Sequence, residues 1–223
     1  MCLKCDKIVL FILIRRCVMK SFRWFILLSL LGIFAILSDA YGDTYSLSLR
    51  YKPAKDLPLL KEKIGPNLGL APFQDERSDK LYIGYHLSFF GSASYFKSDP
   101  TPLERAIRES LLGPLFQYGI KTTPILDWDG KPESLKELDT DSVLMIQIKQ
   151  FWIEGSGAAF RTNAKTSIHL VIHLGVKKEG KVFSKNVEVN REVTLPRLTP
   201  EGMQKTFNEI LTEVFDSFFS NPY

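Results

Sequence analysis

Two histidines, His169 and His173, have the four-residue spacing that chelates zinc when it lies on a helix. Here the surrounding segment, residues 167–176, alternates apolar and polar side chains, which predicts a strand. Four residues of strand separate two rings by roughly 13 Å, whereas one zinc ion needs both nitrogens about 2 Å away. The two histidines are therefore expected on the polar face of a strand and not at a metal site. His86 stands alone.

Acidic residues at two places could support other chemistry. Residues 127–130 (Asp-Trp-Asp-Gly) resemble the opening of a calcium loop, but the third acidic position and the distal glutamate are missing, so a turn is predicted. Asp75 and Asp79 lie in one short charged segment and could act as a general acid–base pair. Solvated turn charges are the competing interpretation. An envelope hydrolase that uses Asp75, Asp79 or a histidine is kept as an alternative function.

Other catalytic and cofactor signatures are missing from the sequence. It contains no G-x-S-x-G, G-x-x-x-x-G-K-[ST] or G-x-G-x-x-G motif. Its cysteines, Cys2, Cys5 and Cys17, all precede Met19, and the C-x-x-C pair lacks the second ligand pair of a zinc site. We therefore predict no catalytic, metal-binding or cofactor-binding residue, no cofactor and no enzymatic activity.

The spacing of apolar residues predicts two long helices. The first begins at Thr101, which forms a capping box with Glu104, and ends near Gly119, with Pro114 predicting a kink or an early end. The closing helix begins at Thr199 and is the strongest periodic signal in the chain. Its apolar stripe consists of Met203, Phe207, Ile210, Leu211, Val214, Phe215, Phe218 and Phe219.

Three long strands are predicted at residues 143–153, 167–176 and 182–195, and the short turn 177–180 joins the last two as an antiparallel hairpin. A helical stripe so rich in phenylalanine must be covered, most simply by a sheet. The predicted class is α+β: a mainly antiparallel sheet with two long helices packed on one face, preceded by an N-terminal signal segment.

An uncharged aromatic stretch, part of residues 89–100, is predicted to be a loop. Exposed aromatic side chains at a loop tip are typical of contacts with a partner protein or a membrane surface. Packing of the loop onto the sheet is the competing interpretation. The candidate partner-contact residues are Phe89, Phe90, Tyr95 and Phe96. The expected partner is an envelope protein or a membrane surface, and the sequence leaves the oligomeric state open.

Residues 1–42 are typical of an export signal. Basic residues precede an uncharged, mostly apolar run at 24–37, and small residues follow at 38–42. Fourteen helical residues span roughly 21 Å, less than the roughly 30 Å of a hydrocarbon core. Cleavage is therefore expected, and Met19 is a candidate for the true start. The alternative is an uncleaved anchor, residues 8–38, that holds the same domain in the membrane.

The charges divide at the same place. The 29 lysines and arginines exceed the 25 aspartates and glutamates by four, and residues 1–42 hold six of the basic and two of the acidic residues. Residues 43–223 are therefore neutral, with 23 of each, and nucleic-acid binding is not predicted. We predict a single exported α+β domain over 43–223, located in the periplasm or on the outer surface of a membrane.

The order of features over residues 65–219 resembles the YajG-type envelope lipoproteins of bacteria. The turn motif that carries the resemblance is hydrophobic-x-Asp-x-Arg, with Phe73, Asp75 and Arg77 at its defined positions. The lipobox cysteine of that family is absent here, so the resemblance implies no lipid anchor. It implies a non-enzymatic accessory or binding module that faces the periplasm, in an envelope assembly or transport system, and it offers no catalytic residues to transfer.

Overall fold

A computed structural model describes residues 42–158, 161–197 and 199–222, so the predicted signal segment lies outside the described residues. Asp43–Tyr223 forms one compact unit. Its strands are β1 Thr44–Ser48, β2 Asn67–Leu70, β3 Gln74–Asp75, β4 Gly84–Leu87, β5 Ala93–Asp99, β6 Lys121–Pro124, β7 Ser142–Ala158, β8 Arg161–Val176 and β9 Lys181–Leu195. Its helices are α1 Leu60–Ile64, α2 Leu103–Gln117 and α3 Pro200–Ser220, with 3-10 turns at Ser134–Glu137 and Lys177–Glu179.

The sheet is organised around β7, which is 17 residues long. One edge of β7 pairs with β8 in an antiparallel ladder, and β8 pairs in the same way with β9. The other edge is shared, one after another along its length, by β2, β3 and β4, each parallel to β7. Beyond these, β5 is antiparallel to β4, β1 is parallel to β5, and β6 is parallel to β2.

The prediction of a mainly antiparallel sheet with two helices is wrong. The described residues form a mixed nine-stranded sheet, in which five of the eight strand pairs are parallel, and three helices. A short turn between two alternating segments reveals an antiparallel hairpin, and the predicted β8–β9 hairpin is confirmed. Parallel strands are joined by longer crossover connections, so no local sequence pattern predicts which strand pairs with which.

The main core lies between one face of the sheet and the two longer helices. All eight residues of the predicted α3 stripe are buried in it, as are Leu103, Ile107, Leu111 and Leu115 of α2. Phe151 of β7 stacks on Phe207 of α3, with ring centroids 4.7 Å apart. Truncation of a phenylalanine buried in this way costs about 3–5 kcal/mol, so the α3 stripe is a principal source of stability.

A smaller core lies on the opposite, outer face of the sheet. Val143 and Met145 at the start of β7 pack there against Trp128 and Leu135 of the β6–β7 connection. Further along β7 and β8 the outer face carries more polar side chains, including Gln150 and His169. One end of the outer face is therefore covered, and the other end presents side chains to solvent.

The helix boundaries partly match the predictions. The Thr199 hydroxyl accepts a hydrogen bond from Gly202 N at 3.1 Å, so the predicted cap of α3 is confirmed. The predicted capping box at Thr101 is wrong, because α2 begins at Leu103 without a side-chain cap. This helix also continues through Pro114 to Gln117. No helix in the described part of the chain is long and apolar enough to cross a bilayer.

A buried carboxylate joins α3 to the segment that follows β1. Asp216 of α3 accepts hydrogen bonds from the Tyr51 hydroxyl at 2.8 Å and from Ala54 N at 3.0 Å. Burial of the phenol, together with this hydrogen bond to Asp216, raises the pKa of Tyr51. The tyrosine therefore stays protonated and acts as a donor to the carboxylate throughout the physiological range.

Candidate binding surface

The predicted turn motif forms a buried ion pair. Arg77 donates from Nε to Asp75 Oδ1 at 2.9 Å and from Nη2 to Asp75 Oδ2 at 2.8 Å, and the two side chains are 5% and 4% exposed. This bidentate arrangement is the strongest geometry for a guanidinium–carboxylate pair. Phe73 of the same motif is buried in the main core. The motif therefore lies inside the fold.

Arg77 completes the edge of β7 between β3 and β4. β3 pairs with β7 up to Ile148, a bulge follows, and pairing with β4 begins only at Ile153. In this gap Arg77 Nη1 donates to the carbonyls of Phe151 at 3.2 Å and Tyr82 at 2.8 Å. Because a buried carbonyl needs a donor, the guanidinium takes the place of a strand N–H group. The Asp75–Arg77 pair is thus a structural element of the sheet.

The carboxylates of the hydrolase alternative have separate partners. Both oxygens of Asp75 accept from Arg77. Asp79 Oδ1 accepts instead from the backbone N–H groups of Leu81 at 3.0 Å and Tyr82 at 3.1 Å, as an aspartate does at the start of a turn. The structure therefore does not bring the two acids together as a catalytic pair.

Asp79 does border a cavity on the outer face. The cavity measures about 350 Å³ and is also lined by Lys149, Trp152 and His169. His169 Nε2 lies 2.6 Å from Asn186 Oδ1 of β9, and no hydrogen bond joins Asp79 to His169 within the described ranges. The cavity holds an acid and a base, but each is engaged by a different neighbour.

The histidines lie where strand alternation predicts them. His169 and His173 are on the outer face of β8, and His173 Nδ1 lies 2.7 Å from Ser184 Oγ of β9. Burial, and then the charge of Lys149, lowers the pKa of His173, and burial also lowers the pKa of His86. The described residues include no group of three histidine, cysteine or acidic side chains placed to hold a metal ion.

The acidic segment at 127–130 is a loop that caps the outer core. Trp128 is buried there, while Asp129 Oδ1 accepts from Ser134 Oγ at 2.6 Å and from Lys131 N at 3.0 Å. These hydrogen bonds, with that of Ser134 the larger influence, lower the pKa of Asp129. The hydrogen bonds of the Asp129 carboxylate therefore stabilise the loop itself, as predicted for a turn.

The two phenylalanines of the predicted aromatic loop form the apex of a β-hairpin. Residues 88–92 turn between β4 and β5, and the turn is closed by hydrogen bonds from Ser88 N to Ser92 O at 2.8 Å and from Ser92 N to Ser88 Oγ at 3.0 Å. Phe89 is 60% exposed and Phe90 is 91% exposed, and their rings contact each other edge to face. We call these two residues the aromatic tip.

The other two candidate contact residues have different surroundings. Most of the segment predicted to be a loop is strand β5, and alternation along it points Tyr95 and Phe96 to opposite faces. Tyr95 lies on the outer face against Tyr82, with ring centroids 4.8 Å apart, and is partly exposed. Phe96 is 2% exposed in the main core, so its prediction as a contact residue is corrected.

Sequence reasoning missed the apolar residues that adjoin the aromatic tip on the outer face. Leu87 of β4 is partly exposed beside the turn, and Tyr85 meets Trp152 of β7 edge to face at 6.2 Å. Alternation alone did not reveal this surface, because Leu81, Ile83, Tyr85 and Leu87 all occupy odd positions, yet Ile83 is buried in the main core. The contact surface thus extends from the tip onto β4.

No protein-family model and no curated protein matches the sequence. The chain is similar in structure to XCC0632 from Xanthomonas campestris, a DUF330 protein, with a TM-score of 0.52 and 15% identity over 80% of this chain and 93% of that one. Lipoprotein GNA1162 from Neisseria meningitidis gives a TM-score of 0.38 and 13% identity, over 68% and 98% of the two chains. The PelC dodecamer from Paraburkholderia phytofirmans gives a TM-score of 0.38 and 9% identity, over 77% of this chain and 94% of that one.

The similarity to XCC0632 establishes a shared fold and does not single out the YajG-type family. Over 80% of its length, this chain therefore has the fold of a DUF330 protein.

Proposed function

We propose that this protein is a non-enzymatic accessory or binding protein of the bacterial envelope, similar to the YajG type, that works in the periplasm after export. It contacts an envelope component through the aromatic tip. The observation that carries the proposal is the exposure of Phe89 and Phe90, because a hairpin that needed these rings for its own stability would bury them.

The arrangement of the charged residues supports a binding role. Asp75 of the predicted acid–base pair is instead held in a buried ion pair by Arg77, which also holds the edge of β7 through the Phe151 carbonyl. The exported part has no cysteine and no net charge, which suits a protein of an oxidising compartment with no role in nucleic-acid binding.

Affinity capture from envelope extracts tests the proposal. The bait is the wild-type chain, a Phe89→Ser/Phe90→Ser variant, or Leu126→Ser, which removes an equally exposed apolar side chain elsewhere. We expect the wild type and Leu126→Ser to retain the same envelope component, and the double variant to lose it. Capture that is equal for all three baits would contradict the proposal.

A hydrolase is the second candidate, favoured by the placement of Asp79 and His169 around one cavity. In this alternative the carboxylate and the imidazole would act on a water molecule and an ester or amide that occupies the cavity. Its test is hydrolysis of a chromogenic acetate ester by the wild type, Asp79→Asn and His169→Gln. Equal rates in the three proteins would rule out this alternative.

The uncleaved anchor is a separate alternative, in which residues 8–38 hold the same domain in the membrane. It requires an intact N-terminus in the cell. Mass spectrometry of the isolated protein decides it, because a first residue at Tyr41 or Asp43 would show cleavage and a start at Met1 would show retention.

A further inference from the structure

We propose that the aromatic tip inserts into the lipid surface of a membrane, at the end of the sheet where the chain enters the domain. The inference rests on the proposed function, since it names a lipid surface as the component that the tip contacts. Four observations carry it: the composition of the hairpin, its exposed area, the point of chain entry, and the arginines that flank it.

The amino-acid composition of the hairpin around the tip is typical of a loop that contacts a membrane. Residues 87–96 form a stretch of ten without a charged side chain, centred on Phe89 and Phe90. Phenylalanine lowers its free energy by moving from water into the boundary between headgroups and acyl chains. Because the backbone groups of the turn bond to Ser88 and Ser92, insertion of the rings does not require the turn to unfold.

The exposed area favours a lipid surface over a second protein. Phe89 and Phe90 are 60% and 91% exposed, so together they offer roughly 200–400 Å² of contact area, whereas a specific protein interface buries about 800 Å² on each partner. A narrow apex with two adjacent rings also enters a lipid surface without needing a complementary pocket. The tip is therefore sized for partial insertion.

The chain enters the domain at the same end of the sheet. Asp43 O accepts a hydrogen bond from Tyr95 N at 2.8 Å, and Thr44 is in register with Tyr95. Gly91 in the turn precedes Tyr95 by four residues, so the tip reaches roughly 13 Å beyond the first residue of β1.

The connection to the predicted membrane-directing segment is short. Five residues, 38–42, separate the apolar run 24–37 from Asp43, and five extended residues span at most about 18 Å. In the anchored alternative this end of the sheet would be held within reach of the bilayer. In the cleaved alternative the tip itself supplies the membrane contact.

Two arginines beside the hairpin complement anionic lipid headgroups. Arg161 opens β8 opposite Ala158, and the neighbouring Gly157 lies so close to the turn that a Cβ there would be 2.9 Å from Phe89 N. Arg197 lines a cavity together with Ser94 of the hairpin. Both arginines are exposed, and neither forms an ion pair with another described residue. Arginine near a bilayer surface is attracted to negatively charged lipids.

The test measures the depth of the tip in the full chain. Cys2, Cys5 and Cys17 are replaced by serine, and an environment-sensitive fluorophore is attached at Phe90→Cys or, as a matched control, at Leu126→Cys, which is 98% exposed in the wild type. The vesicles contain equal parts of phosphatidylethanolamine and phosphatidylglycerol, or phosphatidylcholine alone. We expect the label at position 90 to shift to shorter wavelength and to be shielded from iodide with anionic vesicles, while the label at 126 stays accessible.

A second measurement compares binding in the unlabelled protein. With the mature protein as isolated from cells, the Phe89→Ser/Phe90→Ser variant should bind anionic vesicles at least roughly tenfold more weakly than the wild type, because serine removes both apolar rings from the lipid contact. Arg161→Gln/Arg197→Gln should weaken binding to anionic vesicles and leave phosphatidylcholine binding unchanged.

Three results would overturn the inference. The label at position 90 could stay open to iodide on vesicle-bound protein. It could become shielded without vesicles as the protein concentration rises, which would point to a second copy of the chain. It could become shielded only on addition of a captured envelope protein. This last result refutes lipid insertion and leaves the proposed binding function standing.

Discussion

Replacement of Arg77 by alanine should destabilise the domain more than any surface charge substitution. The variant leaves the Asp75 carboxylate, 4% exposed, without its guanidinium, and removes the donor from the Tyr82 and Phe151 carbonyls. Removal of one member of a buried ion pair costs about 3–5 kcal/mol. Since a domain of this size is stable by about 5–15 kcal/mol, the loss is a large part of the total.

The assay is urea unfolding followed by circular dichroism, with thermal unfolding as a check. We expect a fall of about 3–5 kcal/mol in the free energy of unfolding, and of about 6–20 °C in the melting temperature. Lys149→Ala is the matched control on the same part of β7, because it breaks an ion pair with Glu76 in which both side chains are more than 30% exposed. A solvated pair of this kind contributes at most about 1 kcal/mol.

A double-mutant cycle separates the ion pair from the carbonyl contacts. Asp75→Ala alone leaves a buried guanidinium that still donates to two carbonyls, and Asp75→Ala/Arg77→Ala removes both charges. The double variant should be more stable than the sum of the single losses predicts, because no unpaired charge is left. If Arg77→Ala cost no more than Lys149→Ala, the assignment of Arg77 as the donor that completes the β7 edge would be wrong.

Three further predictions concern other buried groups. Tyr51→Phe leaves Asp216 without its hydroxyl donor, and should lower the free energy of unfolding by about 1.5–3 kcal/mol in urea titrations. Burial lowers the pKa of His173 from its ordinary value of 6.5, so the unfolded chain binds more protons there, and stability should fall as the pH drops below about 6.5. His173→Gln should flatten this part of the profile, and an unchanged slope would contradict the assignment. Gly84→Ala places a Cβ against the backbone carbonyl of Ile153, so it should destabilise the β4–β7 pairing and lower the melting temperature.

Local periodicity predicted the elements that depend on local packing. The α3 stripe is buried from Met203 to Phe219, and β8 buries Ile168, Leu170, Ile172 and Leu174 as the alternation predicted. These patterns are readable because a helix or strand that covers one core must repeat its apolar residues at 3.6 or 2 positions. The hairpin of β8 and β9 was equally local, since its turn is only a few residues long.

Contacts between distant segments could not be predicted in the same way. The sharing of one β7 edge by β2, β3 and β4 depends on three crossovers and on the bulge near Ile148, and none of these has a local signature. The same limit applies to Arg77, which reads as a solvated turn charge in the sequence. Its role arises only because folding brings the Phe151 carbonyl, 74 residues away, within 3.2 Å.

The sequence alone determined that residues 43–223 are neutral and free of cysteine, that they carry an amphipathic closing helix, and that an uncharged aromatic stretch is a candidate contact site. Only the tertiary structure decided which aromatic residues of that stretch are available. Phe96 faces the main core, whereas Phe89 and Phe90 lie at the hairpin apex, where no helix among the described residues packs over them. Composition reveals which side chains could bind, but their exposure depends on strand register and on helices that pack from elsewhere in the chain.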